Sequence, residues 1–279
     1  MRILVTGAGG QIGREVVGAF AGHEVTAADH ARLDVGDRDA VLQAVTATRP
    51  DAIVHAAAWT AVDACEGDPD RALAVNALGT RNVVDAARRT GGTVCYLSTD
   101  YVFDGTKPDP YVEWDPPNPQ SSYGRSKLAG EWELDPGATV VRTSWVCGRH
   151  GHNVVKTILR LANEHDELTF VDDQRGHPSF AADVAGAVRQ LVVDRRSGTY
   201  HVTNQGAVSW YEFAREVMES AGHEPGRVRP IATAALVPPR PAPRPMNSVL
   251  DNAALRLGGL PLLPHHRESL DRLVSELRA

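Results

Sequence analysis

The sequence predicts an α/β fold with a doubly wound parallel sheet and a smaller, partly interleaved C-terminal lobe. Over the first two-thirds of the chain, short β-branched runs alternate with longer amphipathic segments, which is typical of parallel strands joined by covering helices. A glycine-rich turn stands directly between the first such run and the first amphipathic segment. Beyond about residue 145 the alternation loosens, and only short strands separate the helical segments.

Each element follows from this pattern in chain order. Strands are predicted at 2–6, 24–28, 52–55, 93–97 and 139–142, with helices between them at 11–21, 38–48, 70–90 and 121–132. The C-terminal part adds helices near 152–164, 181–194, 210–221 and 267–277 and short strands at 168–171 and 199–202. The proline-rich stretch 238–245 must be a loop, because proline donates no backbone hydrogen bond. We expect one domain over residues 1–145 and a lobe over 146–279, some of whose segments return to the main sheet.

Composition indicates a globular protein in a reducing compartment. With 279 residues, of which 42% are hydrophobic and 23% charged, the chain can bury a substantial core. The formal net charge is −6 without a basic cluster, which argues against nucleic acid as a partner. Cys65, Cys95 and Cys147 form no disulfide framework or metal motif. No apolar run is long enough for a signal peptide or a membrane span, so a cytoplasmic protein is predicted.

The strongest motif is the turn after the first strand, which reads GAGGQIG at 7–13. Its glycines follow a strand and open a helix, so that a pyrophosphate can approach the backbone at the helix N-terminus. The spacing is GxxGxxG rather than the more common GxGxxG. The motif predicts a Rossmann dinucleotide site, and the cofactor-binding residues in it are Gly7, Gly10, Gln11, Ile12 and Gly13.

Asp29 is predicted to bind the adenosine ribose of the cofactor. It ends the second strand, near the place where an acid usually accepts a hydrogen bond from a ribose hydroxyl, and this favours NAD. Arg32 stands close by and could meet a 2′-phosphate instead. Both NADH and NADPH therefore stay open.

Two further segments complete the predicted cofactor site. Asp34 and Val35 resemble the turn that brackets an adenine ring, and capping of the following helix is the alternative. Ala56, Ala57 and Ala58 end the third strand with small side chains, which would let the chain pass beneath the cofactor. Simple close packing is the alternative for these alanines.

Tyr123 and Lys127 stand four residues apart in a predicted helix, so their side chains project from one face. A nearby ammonium lowers the pKa of a phenol from its usual value of about 10, which lets it exchange a proton closer to neutral pH. An isolated pair of this kind occurs by chance in many proteins. Here, however, only Lys107, Lys127 and Lys156 are lysine among 29 lysines and arginines.

Together the motifs resemble those of extended short-chain dehydrogenase/reductases, and more narrowly those of the dTDP-4-dehydrorhamnose reductase family. The resemblance extends over almost the whole chain. It is carried by GAGGQIG at 7–13, NALGTRN at 76–82, LSTDYVFDG at 97–105, YGRSK at 123–127, RTSWV at 142–146, VDDQRGHP at 171–178 and RPMNSVLD at 244–251.

The resemblance implies reduction of the C4 ketone of a dTDP-linked 4-keto-6-deoxyhexose by NADPH or NADH. Tyr123 would be the general acid that protonates the ketone oxygen. Lys127 would lower the pKa of Tyr123 and hydrogen-bond the nicotinamide ribose. Thr99 would donate a second hydrogen bond to the ketone oxygen, and a strand-end hydroxyl bonded to backbone is the alternative.

Substrate contacts are predicted from the same resemblance and from side-chain chemistry. The indole of Trp145 offers a flat apolar face to a sugar or base, and a core tryptophan is the alternative. The guanidinium groups of Arg175 and Arg244 suit a diphosphate, although a surface position is the more common fate of any one arginine. Cys147 stands where the family often has tyrosine, which leaves the shape of the sugar pocket open. The predicted substrate residues are Thr99, Asp100, Trp145, Arg175, Arg244 and Asn247.

Some proteins with related functions are expected to carry different residues at identifiable positions of this sequence. Sugar-nucleotide 4,6-dehydratases resemble one another in a Thr-Asp-Glu run, whereas Tyr101 occupies the glutamate position here, so the base needed for dehydration is missing. An epimerase stays a minor alternative. A ketoreductase of antibiotic deoxysugar synthesis would show the same motifs. A non-catalytic nucleotide-binding regulatory subunit is the alternative from another class, although it would not need Thr99, Tyr123 and Lys127.

No metal is predicted to take part in catalysis. Some members of the family are associated with a magnesium-linked dimer, and Glu15 occupies a matching place in the first helix. The remaining ligands cannot be identified in the sequence, and an acid there also favours the helix dipole. The oligomeric state stays open, with a homodimer as one option.

Overall fold

The computed structural model describes residues 1–278, and a six-stranded parallel sheet forms its centre. In chain order the strands are β1 (Arg2–Thr6), β2 (Glu24–Ala28), β3 (Ala52–His55), β4 (Thr93–Thr99), β5 (Thr139–Thr143), β6 (Val146–Cys147), β7 (Leu168–Val171), β8 (Arg175–Gly176), β9 (Ser179–Phe180), β10 (Gly198–His201), β11 (Val208–Ser209) and β12 (Val228–Ile231).

The helices lie between these strands. They are α1 (Gln11–Ala19), α2 (Arg38–Thr48), α3 (Val62–Gly67), α4 (Pro69–Leu73), α5 (Gly79–Thr90), α6 (Ser122–Trp132), α7 (Val154–Glu164), α8 (Ala181–Val193), α9 (Trp210–Ser220), α10 (Ala253–Leu257) and α11 (His266–Arg278). A π-helical segment, Ala74–Leu78, joins α4 to α5. Within residues 1–278, none of the helices combines the length and the apolar character needed to cross a membrane.

The main sheet has the spatial order β10-β5-β4-β3-β1-β2, and every neighbouring pair is parallel. The chain leaves β1 toward β2 on one side and later continues through β3 on the other. Parallel sheets bind ligands in the crevice that such a reversal opens at the carboxyl ends of the strands. The predicted α/β fold is confirmed, and β10 from the C-terminal part completes one edge of the sheet.

Apolar side chains alternate between the two faces of the sheet. Ile3 and Val5 belong to a buried cluster with residues of α1 and α8, whereas Leu4 packs with residues of α2 and α5 on the other face. This alternation follows from the period of a strand, in which successive side chains point to opposite sides. Helices therefore cover both faces, as the doubly wound pattern predicts.

A second apolar cluster lies within the C-terminal part of the chain. It combines Ile158 of α7, Phe213 of α9 and Leu270 of α11, all buried, with Leu168 and Val228 from the paired strands β7 and β12. This cluster gives the lobe a core of its own. The division of the chain at residue 145 stays a prediction.

One predicted helix differs from the structure. The segment 70–90 was expected to be continuous, but α4 gives way to the π-helical segment before α5 begins. Asn76, which is buried within that segment, accepts a hydrogen bond from the Trp59 amide at 2.7 Å and donates to Ser126 at 2.9 Å. These long-range bonds explain why the helix changes its winding here, since π-helical turns occur at such functional or strained places.

Candidate active site

Two clefts at the carboxyl edge of the sheet share the glycine-rich turn. One has a volume of about 520 Å³ and reaches from this turn to α6 and the lobe. The other, about 610 Å³, reaches toward the end of β2. Both are lined by Gly9, Gly10, Ala56 and Ala58, so they form two halves of an elongated site. Such a shape suits a dinucleotide that spans the reversal of the strand order.

The turn itself requires glycine at two of its positions. Gly7 has φ +66°, and a Cβ there would lie 2.6 Å from the amide nitrogen of Ala57. A Cβ at Gly13 would lie 2.2 Å from the carbonyl oxygen of Gly7. The N-terminus of α1, capped at Gly10, has no side-chain hydrogen bond, so its amide groups stay available to an anion. The turn therefore fits the pyrophosphate of a nicotinamide dinucleotide.

Gln11 connects this turn to the C-terminal lobe. Its amide donates to the carbonyl of His152 at 3.1 Å and accepts from Asn153 at 3.2 Å, just before α7. Gln11 and Ile12 both line the 520 Å³ cleft, and their contact with a cofactor stays a prediction. The turn is thus fixed from the lobe as well as from the sheet.

The second cleft contains part of the predicted adenosine site. Asp29 lines it and accepts a hydrogen bond from the Arg32 amide at 3.0 Å. Ala57 lines it too. The structure does not bring Asp34 or Val35 to its lining. Asp34 accepts from the Gly36 amide at 2.9 Å in a tight turn, and Val35 is buried in the apolar cluster beneath α2 and α5.

The alternative for Asp34 and Val35 was that they cap the following helix, and the structure shows a different cap. The N-cap of α2 is Asp37, whose carboxylate accepts from the amides of Asp39 and Ala40, both at 3.0 Å. Asp34 lies before the cap and has the separate partner described above. An adenine contact by Asp34 or Val35 stays a prediction.

Helix α6 carries Tyr123 and Lys127 into the 520 Å³ cleft. Ser121 caps the helix by accepting from the Gly124 amide at 3.1 Å, and Glu66 accepts from the Ser122 amide at 2.8 Å. Tyr123 is 8% exposed and Lys127 is 2% exposed, yet both line the cleft. Two satisfied amides at the helix start thus fix the face of α6 that carries Tyr123 and Lys127.

Glycine at the third position of this helix permits its close packing. A Cβ at Gly124 would lie 2.2 Å from the carbonyl oxygen of Tyr101. Tyr101 follows β4 in a short 3₁₀ turn, and its ring meets that of Tyr123 edge-on with centroids 5.6 Å apart. Because Gly124 has no side chain, α6 can pack closely against the turn after β4. This packing brings the phenol of Tyr123 near the end of that strand.

Thr99 ends β4 and lines the same cleft. Its Oγ1 donates to Oδ1 of Asp100 at 2.9 Å and accepts from the Tyr101 amide at 3.2 Å. Asp100 also lines the cleft and is only 2% exposed. The structure thus brings Thr99, Asp100, Tyr123 and Lys127 together, as predicted, and adds a carboxylate that orients the threonine hydroxyl.

Burial dominates the proton affinities in the cleft. It raises the pKa of Tyr123 above its usual range, and the Thr99 side chain opposes this rise. The expected lowering of the Tyr123 pKa by Lys127 is not seen, because removal from water disfavours the phenolate more than neighbouring groups favour it. Burial also lowers the pKa of Lys127 to about 7 and raises that of Asp100 to about 6.

Trp145 forms a wall of the cleft together with Trp210, which was not among the site residues predicted from the sequence. Its indole stacks on that of Trp210, with ring centroids 3.6 Å apart and planes inclined by 10°. Trp145 adopts φ +45°, and Gly176 leaves room for its ring, since a Cβ there would lie 2.6 Å from it. Trp210 begins α9, and no local signal in the sequence connects it to the site.

Three other predicted substrate residues do not line the cleft. Arg244 forms a two-point salt bridge with Asp63 at 2.9 and 2.8 Å. Arg175 lies 3.1 Å from Glu212. The Asn247 amide donates to the backbone carbonyls of residues 107 and 109. Each side chain therefore has a partner within the protein, and its role toward substrate stays a prediction.

Among residues 1–278, no group of three or more histidine, cysteine or acidic side chains is arranged to hold a metal ion. Glu15, named above for its resemblance to a residue in some family members, lies 3.6 Å from His150. The two border a small cavity of about 170 Å³ between α1, α8 and α11. This cavity is separate in its lining from the two clefts described above.

Comparison with known proteins agrees with the geometry. The family model described as RmlD substrate binding domain matches residues 1–279. A protein of Streptomyces griseus named dTDP-4-dehydrorhamnose reductase is 41% identical over 96% of this chain and 91% of its own length. A protein of Streptomyces niveus named dTDP-4-keto-6-deoxy-D-glucose reductase is 38% identical over 100% of this chain and 98% of its own. The crystal structure of dTDP-4-dehydrorhamnose reductase from Bacillus anthracis in complex with NADP is similar at TM-score 0.95 and 38% identity, covering 99% of each chain.

Proposed function

Because the chain belongs to the dTDP-4-dehydrorhamnose reductase family, we propose that it reduces the C4 ketone of a dTDP-linked 4-keto-6-deoxyhexose with NADPH or NADH. The observation that carries this proposal is the joint lining of one cleft by Thr99, Tyr123 and Lys127 beside the glycine-rich turn. A phenol, a hydroxyl and an ammonium in one cleft supply what carbonyl reduction needs from a protein. A binding module would not require them.

The protein's own groups act on the ketone oxygen while carbon C4 is reduced. When bound, the reduced nicotinamide supplies the hydride. Tyr123 then transfers its phenolic proton to the oxygen as negative charge develops there, so that the ketone becomes an alcohol. Because burial raises the pKa of Tyr123, the phenol is fully protonated at neutral pH and ready to act as an acid. Solvent returns a proton to the phenolate afterwards.

Lys127 and Thr99 prepare this transfer. Lys127 lies one helical turn beyond Tyr123 in a dry part of the cleft, where a positive charge stabilises a developing phenolate. It would also hold the nicotinamide ribose by a hydrogen bond. Thr99 would donate to the ketone oxygen from the end of β4, with the stacked indoles of Trp145 and Trp210 providing an apolar wall for the sugar or base.

The identity of the ketosugar divides the proposal into two candidates. The rhamnose precursor is favoured because the Streptomyces griseus relative bears that name. A related reductase of antibiotic deoxysugar synthesis is the second candidate, since the Streptomyces niveus relative is named for another 4-keto sugar at similar identity. Turnover of several dTDP-ketosugars, with NMR of the C4 configuration in the product, would separate the two.

Tyr123→Phe tests the proposed chemistry directly. We expect kcat to fall about 10²- to 10⁴-fold, because the phenol is the proton donor, while the dissociation constant of NADPH changes little. Ketosugar-dependent loss of nicotinamide absorbance measures the rate, and fluorescence titration measures binding. Tyr101→Phe is the matched control, since it removes a phenol from the same cleft without removing the donor. Cofactor binding without turnover of any ketosugar in wild-type protein would favour the regulatory subunit.

We also propose that the enzyme works in the cytoplasm. Cys65, Cys95 and Cys147 are unpaired and buried, which supports a reducing compartment. The homodimer that the sequence left open is a further proposal, to be tested by the mass of the protein in solution.

A further inference from the structure

The ammonium of Lys127 lies over the aromatic ring of Tyr96, with Nζ 4.0 Å from the ring centroid. Tyr96 is in β4 and fully buried, and Lys127 is 2% exposed on α6. A cation over the negative face of a ring is attracted to it, and the attraction is greatest away from water. The ring therefore stabilises a charge that burial disfavours.

One acidic residue, Glu131, raises the pKa of Lys127, but its charge is shared with another cation. Glu131 lies one turn further along α6, but Arg142 binds its carboxylate in a buried pair, at 3.0 and 2.7 Å. Ser98 donates to the same carboxylate at 2.6 Å. Because Arg142 offsets part of the charge of Glu131, the Tyr96 ring is a second stabilising contact of the ammonium.

Several contacts fix the orientation of the ring. The Tyr96 hydroxyl lies 3.4 Å from the carbonyl oxygen of Asn76 and 3.3 Å from that of Lys127, and donates toward both. Gly130 makes room for this hydroxyl, since a Cβ there would lie 2.4 Å from it. His55 packs against the ring with centroids 5.6 Å apart, and burial lowers its pKa to about 3, so it adds no competing cation.

We propose that Tyr96 is a positioning residue whose ring face keeps Lys127 charged and aimed into the cofactor cleft. The inference rests on the proposed function, in which a charged Lys127 holds the ribose and supports Tyr123. Without the negative face of the ring, the charged form of Lys127 is less stable, and its pKa falls. The other ionisable groups around Lys127 are Glu131 and Tyr123 from α6, His55 from β3 and the Tyr96 phenol itself, and a substitution at Tyr96 removes only the last of these.

Because the chain contains few lysines, the pKa of Lys127 can be measured directly. The chain has three lysines, Lys107, Lys127 and Lys156, so lysine labelled with ¹³C at Cε gives three signals, and Lys127→Arg identifies one of them. Lys107, bound to Asp115, and Lys156, bound to backbone carbonyls, are internal references. Titration by NMR then reports the pKa of Lys127 without any substrate.

Two kinds of substitution separate the effect of the ring face on Lys127 from the effect of the hydroxyl. Tyr96 is replaced by phenylalanine, and by phenylalanines that carry an increasing number of fluorine atoms. Tyr96→Phe keeps the face and should lower the Lys127 pKa by less than about 0.3 pH unit. Each added fluorine weakens the negative face at nearly constant shape, and pentafluorophenylalanine should lower the pKa by about one pH unit. In turnover, the alkaline fall of kcat/KM should move to lower pH by the same amount.

Two results would overturn the proposal. One is a Lys127 pKa that stays at the wild-type value with pentafluorophenylalanine in place of Tyr96. The other is an equal fall of the Lys127 pKa with phenylalanine and with pentafluorophenylalanine at position 96. That result would assign the effect to the lost hydroxyl. Thermal unfolding of each variant confirms that the rings are accepted. Because the NMR titration needs no ketosugar, failure of the reductase proposal would appear separately, as wild-type protein that binds NADPH without turning over a ketosugar.

Discussion

The hydroxyl of Thr99 illustrates how a single side chain is prepared for its role. Its hydrogen points to Asp100 Oδ1, and its oxygen accepts from the Tyr101 amide. To donate to a ketone, the hydroxyl must turn away from Asp100. Burial raises the pKa of Asp100 to about 6, so below that pH the carboxyl is protonated and becomes a weaker acceptor for the Thr99 hydrogen.

Thr99→Val should lower kcat about 100-fold, because valine has the shape of threonine but cannot donate a hydrogen bond to the ketone oxygen. Thr99→Ser is the matched control, since it retains the hydroxyl and should stay within a few-fold of wild type. Steady-state kinetics with the ketosugar measures both variants. Equal rates for valine and serine would show that Thr99 serves only to cap the turn after β4.

For single residues, the sequence predicts the chemistry of a side chain better than it predicts which other residue that side chain contacts. Thr99, Tyr123 and Lys127 could be proposed as candidates because their motifs are local, and the structure places them in one cleft. Arg244 was assigned to a diphosphate, yet it binds Asp63, which lies 181 positions away in the chain. A guanidinium suits either partner, and only the fold decides which one is near.

Among the elements, α1 shows how a glycine spacing becomes a binding site. Gly13 has no room for a side chain against the Gly7 carbonyl, whereas Gly18 on the same helix faces open space. The two positions therefore have opposite requirements. Gly13 permits contact between the helix and the turn, and Gly18 only adds conformational freedom to the unfolded chain.

Gly13→Ala should weaken NADPH binding at least about 10-fold and destabilise the fold by about 1–3 kcal/mol, because the new Cβ would displace the turn. Gly18→Ala should leave binding unchanged and stabilise the protein by up to about 1 kcal/mol. Fluorescence titration and urea unfolding measure the two effects. Unchanged NADPH affinity in Gly13→Ala would contradict the role assigned to the turn.

Element positions were predictable wherever local periodicity determines them. The predicted strands at 2–6, 24–28 and 52–55 have the same bounds as β1, β2 and β3. The π-helical segment could not be predicted, because Asn76 is held by Trp59 and Ser126 from other parts of the chain. The stack of Trp145 on Trp210 was missed for the same reason, since it forms only when the lobe folds onto the sheet.

For the whole molecule, buried neutral histidines determine the response to acid. Burial lowers the pKa to about 3 for His55, about 4 for His177 and about 3 for His201. In the unfolded chain histidine binds a proton near pH 6.5, so below that pH the unfolded state binds more protons and the fold loses stability. The raised pKa values of Asp100 and Glu113 act in the opposite direction in acid, but these two carboxyl groups oppose three histidines.

We expect the free energy of unfolding to fall by about 3 kcal/mol between pH 7 and pH 5.5, as measured by urea unfolding. His201→Gln should make this fall smaller by about 1 kcal/mol, because glutamine does not titrate. Its side-chain amide can still donate to the carbonyl of Tyr111 or Asp251, as the imidazole does. An identical fall in variant and wild type would exclude His201 as a source of acid sensitivity.

The buried cysteines have a practical consequence for labelling chemistry. Burial raises the pKa of Cys95 and Cys147 to about 12 and also raises that of Cys65, so none presents a reactive thiolate at neutral pH. A cysteine introduced at Val237, which is 94% exposed just before the proline-rich loop, would therefore be the preferred target of a maleimide dye. A fluorophore could thus be attached next to the lobe without first removing any native cysteine.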